Sequence, residues 1–371
     1  MNILINATNL AATGGAAQVA DSICREVYRF TQHHFVAVLP PSFSLTKDSI
    51  KGYDNVIVYE YAYPQKDWKS LLIKRNDYLD GLVASEKIDA VLTIFGPTKW
   101  VPKCKHLCGF AYPHIPLLDT PFFTRMKGGT RFVAKAKIAY MTYLFRRCSK
   151  VFFTENPLIT ELVKKKLHCQ NVYTVTNNYN QVFDQPDLWK HHELPPFDGV
   201  RFFSASSMMA HKNLPIAVEV AKFLKYKYPS FKFQFVLTVK EEQFIPVPDE
   251  LNDCFLFTGG VHISKIPSLY SQCDVVFQPS LLECFSASYP EAMRMEKPLV
   301  VPDLEFARGL CQDAALYYPP LSAQDAAKQL YRVSTDTNLQ KRLIESGKHQ
   351  LLTYDTYQQR AEKLIKIIEQ L

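Results

Sequence analysis

The chain of 371 residues is 47% hydrophobic and 21% charged, a globular balance that excludes disordered and fibrous classes. That length makes about two domains of ordinary size, with cores large enough to need no disulfide or metal staples. The net charge of +7 is uneven: residues 1–199 carry 24 basic and 17 acidic side chains, and the remainder carries 19 of each. Nine cysteines occur without a CxxC pair. The nearest approach, Cys104 and Cys108, has no second pair to complete a zinc site. They read as reduced thiols of a cytoplasmic protein, with no metal and no other cofactor expected.

Met1-Asn2-Ile3-Leu4-Ile5-Asn6 lacks the basic start and long apolar run of a signal peptide, and reads as a short buried strand. No 18 apolar residues run together, so no membrane-spanning helix is predicted. Strand-type runs follow at 35–39, 55–59, 89–95, 106–111, 150–154 and 171–176, alternating with helical patterns at 16–30, 68–85, 130–145 and 157–167. This alternation predicts parallel sheets with crossover helices. Residues 184–198, with Pro186, Pro195 and Pro196 and little periodicity, predict a linker placed at 186–199. Beyond it lie strands at 200–204, 231–237, 254–258, 274–278 and 298–301, and a helix at 213–227. A helical pattern at 357–371 puts Leu364, Ile367, Ile368 and Leu371 on one face. The expected fold class is α/β: two doubly wound parallel-sheet domains, 1–185 and 200–356, facing each other across a cleft. In such sheets the chemistry sits on loops just after strands.

Between Thr124 and Lys150 there are eight basic residues and no acid: Arg125, Lys127, Arg131, Lys135, Lys137, Arg146, Arg147 and Lys150. Phe122, Phe123, Phe132, Tyr140, Tyr143 and Phe145 are interleaved with them or adjacent. The pattern suits an anionic membrane surface or a solvated helix face whose aromatics are in the core. Nucleic acid is not expected, because no recognition motif accompanies the charge.

Three loop constellations stand out. After the strand at 274–278, Glu283 and Glu291 lie eight positions apart across a strand–loop–helix junction. A helix starting near Ser286 would leave the N–H groups of Phe285, Ser286 and Ala287 unpaired for phosphate oxygens, and the glutamates could each accept a vicinal diol. After the strand at 200–204 comes Ser204-Ala205-Ser206-Ser207-Met208-Met209-Ala210-His211-Lys212-Asn213, with Lys212 at an expected helix start as a point charge for a diphosphate. After the first strand, Thr13-Gly14-Gly15-Ala16 opens a helix, but it is not the GxGxxG of dinucleotide binders.

Taken in order, these motifs resemble the retaining glycosyltransferases with two Rossmann-like domains, the GT-B fold of glycosyltransferase family 4, or group 1. Glu283 to Glu291 matches their Glu, seven residues, Glu mark. Phe257-Thr258-Gly259-Gly260-Val261, Ile266-Pro267-Ser268-Leu269-Tyr270, Cys273-Asp274-Val275-Val276-Phe277-Gln278-Pro279-Ser280 and Asp313-Ala314-Ala315-Leu316-Tyr317-Tyr318-Pro319 are similar to their flanking text.

The resemblance implies a UDP- or GDP-sugar donor and a glycan or lipid-linked acceptor in capsule- or O-antigen-like surface polysaccharide synthesis. Glu283 would hold the donor sugar, Glu291 the ribose, and Lys212 the diphosphate, helped by the N–H groups of Phe285 and Ser286 and by Gly14 and Gly15. Gly260 and Val261 would lie near the base. His114 would be a catalytic-site histidine, with His106 and His211 as lesser candidates. Thr154-Glu155-Asn156 would be structural, and the helix at 357–371 would pack back on the first domain.

Two positions depart from the family pattern: Ser207 where an arginine is common, and Cys284-Phe285-Ser286 where Gly-Phe-Gly is common. The implied reaction is metal-independent transfer with retention at the inner membrane face. A non-catalytic nucleotide-sugar-binding subunit, or an epimerase or hydrolase on the same fold, is the alternative.

Overall fold

The computed structural model describes residues 1–11, 14–61 and 75–371. Thr13 and the first part of the helical pattern at 68–85 lie outside the described residues; its remainder is the helix Asp77–Ser85. The chain forms two compact units, and their boundaries differ from those expected. One comprises Met1–Leu118, Lys127–Asn180 and Asp355–Leu371; the other comprises Asp119–Met126 and Gln181–Tyr354.

In the first unit the strands are Asn2–Asn6 (β1), His34–Leu39 (β2), Val56–Glu60 (β3), Ala90–Thr93 (β4), Lys105–Gly109 (β5), Val151–Thr154 (β6) and Val172–Thr174 (β7). All pairings are parallel, in the order β3-β2-β1-β4-β5-β6-β7. Both faces of this sheet are covered, which is why its central strands are apolar without alternation. Ile3 and Ile5 face Val19 and Ile23 of the helix Gly15–Glu26, together with Leu364 and Ile368 of the helix Tyr357–Glu369. Leu4, pointing the other way, packs with Val36, Val91, Leu79 and Trp100.

The chain's last helix is thus part of the first core. Thr356 and Gln359 open it as a capping box. Its Arg360, 2% exposed, donates to Asn177 Oδ1 and to Ser22 Oγ. Buried Glu155, just after β6, is attracted by Arg360, yet burial dominates and pushes its carboxyl up to about 7.

The second unit contains Val200–Ser204 (β8), Phe233–Leu237 (β9), Phe255–Phe257 (β10), Val275–Phe277 (β11), Leu299–Pro302 (β12) and Ala315–Tyr318 (β13). They form a parallel sheet in the order β10-β9-β8-β11-β12-β13, over a core that includes Phe202, Phe235, Phe277, Leu224 and Leu330. The strand β13 is not among those expected from sequence. Residues 186–199 are not a free linker. Lys190 N donates to Ser264 O (2.8 Å), His192 N to Ser268 Oγ (3.1 Å) and Leu194 N to Gln272 Oε1 (3.0 Å), which stitches the segment along this unit.

Gly109 closes β5 where a Cβ would fall 1.8 Å from Ile94 O and 2.7 Å from the Phe153 ring. Backbone cannot give way as a side chain tip does. Gly109→Ala is therefore expected to cost about 3 kcal/mol or more, read as a lowered urea midpoint. An unchanged midpoint would refute this packing.

Candidate active site

In the second sheet β8 and β11 are neighbours whose chain connections run to opposite sides, so the strand order reverses between them. A ligand crevice forms outside the carboxyl ends at such a reversal. The loops after these two strands carry the two strongest sequence constellations.

Side-chain and backbone contacts lock the loops together. Ser204 Oγ donates to Phe277 O (2.5 Å), Leu281 N to His211 O (2.8 Å) and Ser288 Oγ to Ala205 O (3.3 Å). Ser206 exchanges two bonds with Thr238 at the end of β9, at 2.9 and 3.1 Å.

Lys212 and Glu283, 71 positions apart, meet here as an ion pair at 2.5 Å, with side chains 19% and 8% exposed. Lys212 ends the 3-10 turn Ala210–Lys212, ahead of Asn213 in the left-handed region. It is not at a helix start, because the following helix begins only at Ile216. Burial lowers the pKa of His211, and Glu283 opposes that shift only in part. The imidazole beside the pair is thereby favoured neutral.

Glu291 lies inside the helix Ser288–Arg294, 5% exposed. Tyr270 OH donates to its Oε2 at 3.0 Å. Burial pushes its carboxyl up to about 7, against the lowering effect of that hydrogen bond. The two glutamates therefore reach different states: Glu283 pairs with a cation, while Glu291 is poised between acid and carboxylate at neutral pH. Tyr270 escapes a reading based on spacing, although it lies in one of the stretches that carry the family resemblance.

The expected helix start near Ser286 is corrected to Ser288, and the helix has seven residues. The N–H groups of Phe285, Ser286 and Ala287 accordingly belong to a loop and gain little from a macrodipole. Buried Ser286 accepts from Tyr289 N (3.1 Å), and Ala287 O accepts from Glu291 N (3.0 Å). Ser207 is exposed on the β8 loop; Gly260, exposed, and Val261, half-buried, follow β10 on the same carboxyl edge.

The other expected site residues belong to the first unit. Gly14, at φ 97°, caps the helix that Gly15 begins, after β1. That conformation suits glycine. His114 follows β5, half-buried and stacked on Tyr112 at 4.8 Å. His106 is structural. Both its ring nitrogens are held, by Thr93 Oγ1 and Cys148 O at 2.9 Å each, and burial lowers its pKa to about 4.

Residues 190–350 match the family model described as glycosyl transferases group 1, so this segment carries the domain of that family. The fold along the whole chain is that of GT-B glycosyltransferases. A glycosyltransferase from Rickettsia africae is 15% identical, with a TM-score of 0.72 over 100% of this chain and 98% of that one. Sucrose-phosphate synthase from Thermosynechococcus elongatus is 13% identical, with a TM-score of 0.73 over 100% and 98%. Anabaena HepE in complex with UDP-glucose is 13% identical, with a TM-score of 0.69 over 100% of both chains. No curated protein sequence matches significantly.

Removing Lys212 leaves Glu283 an uncompensated charge in a largely buried place. Lys212→Met is expected to cost about 1–3 kcal/mol. Adding Glu283→Gln should restore most of that loss, a double-mutant cycle read by urea denaturation. Strictly additive losses would mean that the pair is not coupled.

Proposed function

We propose that the chain is a retaining glycosyltransferase that moves a hexosyl group from a UDP- or GDP-sugar to a glycan or lipid-linked acceptor in surface polysaccharide synthesis. The observation that carries this reading is the gathering of Lys212, Glu283, Glu291 and Tyr270 where the second sheet's order reverses. The group 1 domain match and the likeness to HepE with UDP-glucose support the nucleotide-sugar donor.

In the reaction the C1–O bond to the diphosphate breaks through an oxocarbenium-like state. A bond from the acceptor hydroxyl to C1 forms on the same face, and the acceptor's proton leaves with the nucleoside diphosphate. Lys212 neutralises the departing charge, exchanging its contact with Glu283 for the phosphate oxygens. Loop N–H groups at Phe285, Ser286 and Ala287 assist, so that no metal is called for. Glu283, once released, accepts donor-sugar hydroxyls, and Glu291 accepts the ribose diol. Gly260 and Val261 border the base. Gly14, Gly15 and His114 belong to the first unit, and their part in donor binding is what the family resemblance implies. The reaction is placed in the cytoplasm, where nucleotide sugars are made.

Ser207, uncharged where relatives commonly carry arginine, favours a second reading as a binding subunit without turnover. Incubation with a panel of nucleotide sugars and acceptor glycans separates the two. Release of UDP or GDP is expected with one donor; binding without release from any donor would favour the second reading.

Glu291 must be ionised to accept two hydroxyls. With its carboxyl at about 7, donor affinity should fall as pH drops through that value, by about tenfold from about pH 8 to about pH 6. Glu291→Gln should weaken binding and flatten this profile. A titration series showing the same pH dependence in both proteins would remove Glu291 from the nucleotide site.

A further inference from the structure

The helix Gly128–Cys148 is 21 residues long, yet it buries only Leu144, Phe145 and Cys148, all in its last turn or so. A surface helix ordinarily turns its apolar stripe to the core. Here a second apolar stripe faces the other way. Phe132, Ala136, Ala139 and Tyr143 are spaced by four, three and four, which places them on one face, and all four are exposed. Phe132 is 75% exposed and Tyr143 50%. Arg131 and Lys135 flank this stripe, Lys137 lies within the same turns, Lys127 precedes the helix as its N-cap, and no acid occurs from 124 to 150. A helix that is only solvated gains nothing from a row of exposed aromatics and methyl groups.

We propose that this face docks on an anionic lipid surface. The helix would lie in the headgroup plane, with Phe132 and Tyr143 entering the acyl boundary and the basic flank meeting lipid phosphates. Neutral interfaces lack the charge complement, and a strongly hydrated polyanion offers nothing to the aromatic stripe. The inference does not depend on the donor reading, because it concerns where the protein sits and not what it transfers.

The test is cosedimentation of the full chain with phosphatidylglycerol–phosphatidylcholine vesicles and with pure phosphatidylcholine vesicles, at low and high salt. Binding to the anionic vesicles alone, lost at high salt, is expected. Each basic residue near the surface is worth about fivefold in affinity, so R131Q/K135Q should bind about thirtyfold more weakly. F132S/Y143S should also bind more weakly at unchanged charge. These side chains are exposed, so melting temperatures of the variants serve as the folding control. Phe132→Trp adds a direct reporter, whose emission, taken as the difference from the parent protein, should shift to the blue with anionic vesicles.

Absence of binding at low salt overturns the proposal, as does equal binding to neutral vesicles. So does an unshifted emission from the Phe132→Trp variant, or unchanged binding by both double variants. Binding of duplex DNA without vesicle binding, or a dimer abolished by F132S/Y143S in the absence of lipid, would assign the face to another partner.

Discussion

The dominant constraint in the second unit is the removal of two carboxylates from water at the carboxyl edge of an apolar sheet. An isolated ionised carboxyl is too costly there, and the fold meets that cost in two different ways. Glu283 is given a cation, Lys212, carried on a loop 71 positions upstream. Glu291 is given a phenol donor and keeps partial claim to its proton. The loops can hold these partners in place because Ser204, Leu281 and Ser288 tie them to each other beneath the site. One apolar sheet edge thus creates both a compact charge pair and an acid poised near neutrality, the two features that suit a diphosphate and a diol.

The first unit handles a buried charge by spreading it over distant segments. Arg360 reaches Asn177 after β7 and Ser22 in the first helix, with Glu155 after β6 adding attraction. Thr176 N donates to Asp355 Oδ2 at 2.9 Å, and Asp355 N returns a bond to Thr176 Oγ1. These contacts fix the final helix where its apolar face meets Val19 and Ile23. The phrase Thr154-Glu155-Asn156 does structural work of this kind. Thr154 Oγ1 bonds Thr160 Oγ1, and Asn156 caps the helix Pro157–Leu167 by accepting Leu158 N at 3.0 Å.

The alternation of apolar runs with helical periods is legible in the sequence because both faces of each sheet are buried. β13 is not, since Ala315-Leu316-Tyr317-Tyr318 is short, half-exposed in its middle and followed by two prolines. The helices Ala323–Thr335 and Thr337–Leu351 also escape the reading, although each carries an N-cap side chain, Ser322 and Asp336. At the site, residue types and loop positions are legible while partnerships are not. No spacing rule links Lys212 to Glu283 or Tyr270 to Glu291, because sheet order alone brings them together. Local geometry is hidden for the same reason: the helix after Glu283 waits until Ser288, and the one after Lys212 until Ile216.

The two departures from the family pattern have unequal weight once geometry is considered. Glycines matter where φ is positive or where backbone must pass close to something. Cys284, Phe285 and Ser286 have no positive φ, and Cys284 and Ser286 are 4% and 3% exposed. The side chains of Cys284 and Ser286 are buried, and the loop's backbone here demands no glycine. Ser207 is different, because a fixed charge is missing there and geometry cannot restore it. Positive charge against Glu283 then comes from Lys212, while His211 is held toward neutrality by burial. Lys212 is therefore the ammonium group that the fold sets directly against Glu283, and each of the two holds the other's charge in a largely buried place.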